Sequence, residues 1–252
     1  MTGELAGQHA LVTGGGTGIG RACAVELARR GASITVTGRR PEPLAEAVAE
    51  IEALGGRAFA VPGDMTVTAD VDAAVSGAAS QGDLAILVAC AGYSQPGPTV
   101  EIEDETYDRI MDLNVRTAFL SARAMGRHLL ARGKGGRIVL MGSQMGHIGY
   151  PGRMLYCTAK HALEGMAQAL GVEWARAGIT VNTVAPTFIL TPLTEPFLAD
   201  EAFMQEVLER RIPMGRIGTL DEVAHAVAYL CSPAASLTTG SCLKVDGGWT
   251  AW

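Results

Sequence analysis

The sequence predicts an α/β fold: one doubly wound, parallel sheet of about seven strands with helices on both faces. Three observations carry this expectation. Short β-like runs alternate with helical patterns along the whole chain. The runs are continuously apolar rather than strictly alternating, as parallel strands covered on both faces are. A glycine-rich turn joins the first run to the first helix.

The strand candidates are Ala10–Thr13, Ser33–Thr37, Ala58–Val61, Leu84–Ala89, Arg137–Met141, Ile179–Val184 and Cys242–Val245. Helical patterns fall between them at Ile19–Arg30, Pro43–Leu54, Ala69–Ala79, Tyr107–Arg132, Leu155–Ala177 and Leu220–Cys231. Strand–helix alternation of this kind winds into a parallel sheet covered by helices. No linker, internal repeat or low-complexity segment divides the chain, so residues 1–252 read as one domain. The segment 186–213 departs from the alternation. It carries four prolines and two helical fragments, the mark of a substrate loop or lid.

Composition narrows the function. A formal net charge of −6 without a long run of one sign argues against nucleic acid and against an anionic membrane surface. No apolar run reaches the length of a membrane span, and residues 1–9 carry no signal-like stretch. The five cysteines are scattered and none forms a C-x-x-C pair. That disfavours a metal site or a disulfide framework and fits a reducing cytoplasm.

The first strand runs into Thr13-Gly14-Gly15-Gly16-Thr17-Gly18-Ile19-Gly20, spaced Gly-x3-Gly-x-Gly. Glycines permit the tight turn and let the backbone approach a pyrophosphate at a helix N-terminus. A dinucleotide site follows. An acidic residue about 20 positions further on would bind a ribose 2′-hydroxyl. Here Gly38 stands at the end of the second strand, followed by Arg39 and Arg40. Two guanidiniums and no carboxylate favour NADP(H) over NAD(H), with NAD(H) still open.

A second constellation is Ser143-(x12)-Tyr156-Cys-Thr-Ala-Lys160. Tyr156 and Lys160 stand four apart in a helical pattern, on one face. An ammonium beside a phenol is expected to pull its pKa down, readying it to exchange a proton with an alcohol. Ser143, just past an apolar strand, is placed to hold the same oxygen.

With the glycine turn and the Ser–Tyr–Lys set in place, the chain resembles the short-chain dehydrogenase/reductase family from about Leu5 to Trp249. The resemblance implies a Rossmann-type sheet and a reversible hydride transfer between a nicotinamide cofactor and a ketone or secondary alcohol. It implies that Asn114 completes a catalytic tetrad with Ser143, Tyr156 and Lys160, placing a water that links Lys160 to solvent. Gly14, Gly16, Thr17, Gly18, Ile19 and Gly20 would hold the pyrophosphate, and Asp64 and Met65 the adenine side. Cys90, Ala91 and Gly92, in a segment similar to the family's Asn-Asn-Ala-Gly, would line the cofactor. So would Pro186, Thr187, Ile189 and Thr191, with Tyr156 and Lys160 at the nicotinamide ribose. Two positions depart from the pattern: Cys90 replaces an asparagine that stitches strands together, and Thr187 replaces a glycine.

By the same resemblance Tyr93, Ser94, Gln144, Met145, Tyr150 and Phe188 line the substrate pocket, with Gln95, His147, Ile189 and Leu190 nearby. This mixed lining suits a modest ketone or alcohol, cyclic or a polyol. The runner-up activity is 3-oxoacyl-acyl-carrier-protein reductase, for which Arg132, Lys134, Arg137 and Arg176 are candidate docking cations. A non-catalytic dinucleotide sensor is the alternative of another class. A sugar-nucleotide epimerase is disfavoured, because little chain follows the last strand. Relatives are often homotetramers. Ala118, Phe119, Leu120, Ala122, Ala124 and Met125 nearly surround one long helix, and Trp249 and Trp252 are expected to be buried at an interface.

Overall fold

Seven strands form one parallel sheet in the order β3-β2-β1-β4-β5-β6-β7. The structure, a computed structural model, describes residues 3–251, and of residues 196 and 197 the backbone alone. In chain order the elements are β1 (Gln8–Thr13), α1 (Gly18–Arg29), β2 (Ser33–Gly38), α2 (Pro41–Ala53), β3 (Ala58–Pro62), α3 (Thr68–Gln81) and β4 (Asp83–Ala89). After them come α4 (Asp104–Met111), α5 (Thr117–Arg132), β5 (Gly136–Met141), α6 (Met154–Trp174) and β6 (Ile179–Pro186). The chain ends with α7 (Glu195–Leu198), α8 (Glu201–Arg210), α9 (Leu220–Cys231) and β7 (Cys242–Val245).

Burial explains the apolar runs. All eight residues of β6 are buried, and β1 and β2 expose little besides their ends. The two edge strands differ. β3 alternates buried and open positions, and β7 is only four residues long with Lys244 exposed. Short, charged edges discourage pairing with another sheet. One face is covered by α1, α2 and α9, the other by α3, α5 and α6. Close packing on that second face needs Gly126, where a Cβ would stand 2.5 Å from the Trp174 ring.

The strand order reverses between β1 and β4, which diverge to opposite edges. In such sheets the crevice at the carboxyl ends of the strands beside that switch point takes the ligand. The glycine turn after β1 and residues 90–92 after β4 both lie there.

The predicted helix Tyr107–Arg132 is not continuous. α4 and α5 are separated by a single π-type turn, Asp112–Arg116. Asn114 lies in this turn, where the amide sends one hydrogen bond back to Ile110 O, 2.8 Å away, and another to Tyr93 O at 2.7 Å. Such turns cluster at functional sites. The predicted Leu155–Ala177 helix ends at Trp174, and Ala175–Ala177 tightens into a 3-10 turn before Gly178, whose φ is 74°.

The segment 186–213 holds the two expected helical fragments, α7 and α8. It packs through Phe188 on Phe203 edge to face, with ring centroids 5.4 Å apart, and on Trp249 at 5.8 Å. Trp249 is thus buried within its own chain, which corrects its assignment to an interface. Trp252 lies outside the described residues. Around α5 the correction is similar: Ala118, Leu120, Ala122, Ala124 and Met125 are buried within the chain, and only Phe119 of that group is exposed.

Candidate active site

A cleft of about 380 Å³ runs across the carboxyl ends of the strands, within the usual range for small-molecule sites. Every residue expected to bind the cofactor lines it, from Gly14 through Arg39, Arg40, Asp64, Met65 and Cys90 to Thr191. The turn can be built only from glycine. Gly14 and Gly18 have φ of 65° and 53°, and a Cβ on Gly20 would sit 2.2 Å from Gly14 O. Beyond the turn, α1 presents its N-terminus with no acidic residue in the first turn, and its N-cap Thr17 makes no side-chain cap. The N–H groups there face the cleft uncompensated, as a phosphate requires. Thr187 Oγ1 is buried on the cleft wall and has no hydrogen-bond partner among the described residues. The residues present therefore fit a dinucleotide.

Arg39 and Arg40 are exposed at the end of β2, and the Arg39 charge helps hold the Asp64 carboxyl below its ordinary range. The larger cause is the backbone bond from Thr66 N, and the Thr66 hydroxyl also donates, at 2.8 Å. Asp64 is thereby fixed as an anion that accepts hydrogen bonds. At Cys90 the strand stitching falls to the backbone: Cys90 N donates to Thr13 O at 3.3 Å, and Ala91 N to Thr13 Oγ1 at 3.4 Å. Its thiol neighbours that of Cys23 in α1 and, with burial, pushes the Cys23 thiol up.

Ser143, Tyr156 and Lys160 meet at the inner end of the cleft. Ser143 Oγ donates to Gln144 Oε1 at 2.8 Å, accepts from Met145 N at 3.2 Å, and lies close enough to the Tyr156 phenol to favour its ionised form. Lys160 Nζ donates to Met141 O at 2.8 Å and sits 5.4 Å from the Tyr156 ring centroid. Asn114 stands behind them, buried and off the cleft surface. A Cβ on Gly92 would come 3.0 Å from Asn114 Oδ1 and 3.6 Å from Lys160 Nζ. Glycine at 92 thus keeps open the gap between amide and ammonium.

The electrostatics correct the expected direction for the tyrosine. Tyr156 opens partly to the cleft, yet its dense surroundings push the phenol up to about 12. The Ser143 hydroxyl and the Arg153 charge oppose that rise without cancelling it. Lys160 does not pull the phenol down. Burial brings its own pKa down to about 8, and one of its three N–H groups donates to Met141 O. A proton shared among these groups near neutral pH is held by Tyr156 more firmly than by Lys160.

Beside Tyr156 lies a smaller cavity lined by Ser94, Gln144, Met145, Arg153 and Phe188, with Ser143, Tyr156, Thr187, Leu193 and Thr194 shared with the cleft. Tyr93 stays on the cleft side, its hydroxyl 3.0 Å from Gln95 Oε1 and its ring under Arg109. Tyr150 does not line either cavity. It packs on Trp249 and Arg211, which corrects its place among the substrate residues. His147 faces away as well, toward Cys242. Gln144 is buried, with its carbonyl engaged by Ser143.

Sequence reasoning missed Arg153. Its guanidinium is buried, donates to Ser94 Oγ at 2.9 Å, and is lowered from its ordinary pKa by burial. The signal was a lone cation just after Gly152, inside an otherwise uncharged stretch.

The candidate docking cations are at the wrong end. Arg132 and Lys134 precede β5, Arg137 is its second residue, and Arg176 precedes β6. All four lie at the amino ends of strands whose carboxyl ends hold the site. Arg132 is also locked in a two-pronged pair with Asp83, at 2.7 and 2.8 Å.

Among the described residues no helix is long and apolar enough to cross a membrane. A family model described as enoyl-(acyl carrier protein) reductase matches residues 14–250. The chain is 36% identical over 251 residues to gluconate 5-dehydrogenase of Gluconobacter oxydans, covering 98% of this chain and 96% of that protein. It is 40% identical over 257 residues to galactitol 2-dehydrogenase of Rhizobium johnstonii, covering 99% and 97%. Its fold superimposes with a TM-score of 0.93 on a gluconate 5-dehydrogenase from Burkholderia cenocepacia J2315 in complex with NADP and tartrate, at 33% identity, covering 98% and 97%. With its sheet order, glycine turn and Ser–Tyr–Lys site, the chain belongs to the short-chain dehydrogenase/reductase family.

Proposed function

We propose that this oxidoreductase uses NADP(H) to interconvert a polyol or sugar acid and its ketone. The observation that carries the reading is the meeting of Ser143, Tyr156 and Lys160 at the end of a dinucleotide-shaped cleft. On reduction Tyr156 gives its phenolic proton to the carbonyl oxygen; on oxidation it takes the alcohol's proton. A phenol held near 12 is a reluctant acid but a strong base once ionised. Ser143 holds the substrate oxygen. Lys160 passes the proton onward to a water that Asn114 would place in the gap at Gly92. The nicotinamide, when bound, supplies or accepts the hydride. Gly14 to Gly20, Asp64, Met65, residues 90–92, Pro186, Thr187, Ile189 and Thr191 would hold the dinucleotide, and Arg39 and Arg40 would grip a 2′-phosphate.

Arg153 supports the substrate class. A buried guanidinium beside the catalytic tyrosine favours an anionic or densely hydroxylated substrate over a plain apolar ketone. The named relatives act on sugar acids and polyols, and the Burkholderia enzyme held NADP and a hydroxy acid. For 3-oxoacyl-acyl-carrier-protein reduction the basic residues stand at the far end of the sheet, so that reading is second. A non-catalytic sensor has no use for the assembled tetrad. The exposed Phe119, Leu130 and Met154 on α5 and α6 favour a homotetramer, and the five free thiols a cytoplasmic location.

The test is a steady-state panel of polyols, sugar acids and their ketones, run with both cofactors. We expect turnover with NADP(H) at least tenfold above that with NAD(H). Turnover confined to acyl-carrier-protein substrates, or none with any alcohol or ketone, overturns the reading.

A further inference from the structure

Further along the face of α6 that carries Tyr156 and Lys160, three side chains far apart in sequence converge. His147 follows the turn Gln144–Gly146, Glu164 lies one helical turn beyond Lys160, and Cys242 opens β7. His147 Nε2 is 3.1 Å from Cys242 Sγ and 3.5 Å from Glu164 Oε1, and all three donor atoms lie within 4.8 Å of one another.

Their arrangement is not that of a nucleophile relay. A Cys–His–Glu relay uses both imidazole nitrogens, one toward the thiol and one toward the carboxylate. Here thiol and carboxylate both approach the same Nε2, so three donor atoms face one point. The carboxylate is also split in its duties. Oε2 accepts from Thr183 Oγ1 at 2.6 Å, which orients the group. Oε1 is buried and has no hydrogen-bond partner among the described residues. Two glycines make room for it: a Cβ on Gly142 would stand 2.8 Å from Oε1, and one on Gly146 3.4 Å. An oriented, unsatisfied carboxylate oxygen beside an imidazole and a thiol is the donor set of a borderline-soft divalent ion.

We propose that His147, Glu164 and Cys242 form a three-ligand site for a divalent transition metal of the zinc class. Binding exchanges the Cys242 thiol proton for the metal. Thiolate and carboxylate then balance the two positive charges, and water completes the tetrahedron. Two spacings, 3.1 and 3.5 Å, lie near the roughly 3.3–3.6 Å edges that a tetrahedron with zinc bonds of 2.0–2.3 Å requires, and the third is within 4.8 Å. Lys244 opposes binding by its charge and Asp246 favours it, both being close enough to act on His147. The scattered cysteines had argued against a metal, because ligand-spacing rules see only neighbours in sequence. This site joins three elements. The ion would tie the turn carrying Ser143 and Gln144 to the helix carrying Tyr156 and Lys160 and to the edge strand β7, so its effect is expected in stability.

The test is metal binding by the untagged, chelator-treated full chain. We expect one equivalent of Zn²⁺ per chain, competed from a chromophoric chelator, and a higher unfolding temperature that Mg²⁺ does not produce. His147→Ala and Cys242→Ser should each weaken zinc binding at least tenfold, while His225→Ala, at an exposed histidine elsewhere, should not. Because these variants can also shift stability, Co²⁺ gives a second reading on the folded wild-type protein. A thiolate-to-cobalt charge-transfer band should appear, and it should be missing from Cys242→Ser. Zinc binding equal in the wild type and His147→Ala, or a cobalt band absent from the wild type or kept in Cys242→Ser, overturns the proposal. None of these readouts depends on turnover, so they stand apart from the proposed substrate.

Discussion

The two ends of the sheet are built on opposite terms. At the amino ends of the strands, charges sit near the surface and are paired: Arg132 with Asp83, and Arg30 with Glu26 and Glu4. At the carboxyl ends, charges are buried and shifted: Tyr156 up to about 12, Lys160 down to about 8, Arg153 lowered. Glycines there hold backbone conformations that cost folding energy. Buried, shifted groups occur at the amino end too, at His9 and Arg137, but at the carboxyl end they meet along one cleft. Four experiments sharpen or break that contrast.

The largest effect belongs to the site. Tyr156→Phe removes the hydroxyl that exchanges a proton with substrate and keeps the ring. Activity should fall about a hundredfold or more, the size of general acid–base catalysis, with cofactor affinity nearly unchanged. The mutant should fold at least as well, since a buried hydroxyl is lost. Activity within a few-fold of wild type would show that the carboxyl-end geometry is not the reacting centre.

Much of this contrast was legible in the sequence. The glycine turn, Ser143, Tyr156 and Lys160 are local patterns, and local patterns carry their geometry with them. The parallel sheet and its two helix layers followed from strand–helix alternation; the strand order did not. What failed was whatever depends on surroundings. The phenol's pKa turned on how densely Tyr156 is packed, which a four-residue spacing to Lys160 does not report. Tyr150 sits close in sequence to Ser143 but turns onto Trp249. Arg153 and the His147–Glu164–Cys242 cluster are defined by partners 59, 17 and 95 positions away. The π-type turn at Asn114 has no periodicity signal, because it is one irregular turn inside a helical pattern.

The next effect is at the outer edge of the cleft. Arg39 lies exposed in the cleft lining after Gly38, which supplies no carboxylate at the end of β2, and would grip a 2′-phosphate. A charge-assisted bond there is worth roughly 1.5–3 kcal/mol, so Arg39→Ala should raise the KM for NADPH about ten- to hundredfold. The KM for NADH should stay nearly constant. A wild-type preference for NADH would mean that Gly38 and Arg39 do not select the cofactor.

A buried group at the amino end gives a pH test of the same contrast. His9 is fully buried in β1, its Nε2 2.7 Å from Thr35 Oγ1. Burial, helped by the Arg57 charge, takes its pKa from 6.5 down to about 4. Between those values the unfolded chain holds a proton that the folded chain does not. Stability is therefore lost as pH falls below about 6.5. From pH 7 to 4.5 this one group should cost on the order of 2 kcal/mol. Urea unfolding at both pH values, compared with His9→Gln, isolates it. A wild-type pH dependence no steeper than the variant's would mean that His9 is solvated.

The smallest effect is the one that tests the division itself. Arg132 holds Asp83 with two parallel bonds and Gly135 O with a third at 2.9 Å, and its pull is the main reason the Asp83 carboxyl lies below its ordinary range. Asp83 remains largely open to water, so solvent screens the pair. Exposed ion pairs contribute about 0.2–1 kcal/mol, and the two-pronged geometry puts this one toward the top of that range. Arg132→Ala should therefore lower stability by at most about 1 kcal/mol, and less in high salt. Its activity on small alcohols and ketones should equal the wild type's, since β5 places the residue about 20 Å from Ser143. A several-fold loss of activity on a small substrate would show that the amino end is coupled to the chemistry. A loss confined to acyl-carrier-protein substrates would instead show that a partner docks at that end, and would move the runner-up activity ahead of the polyol reading.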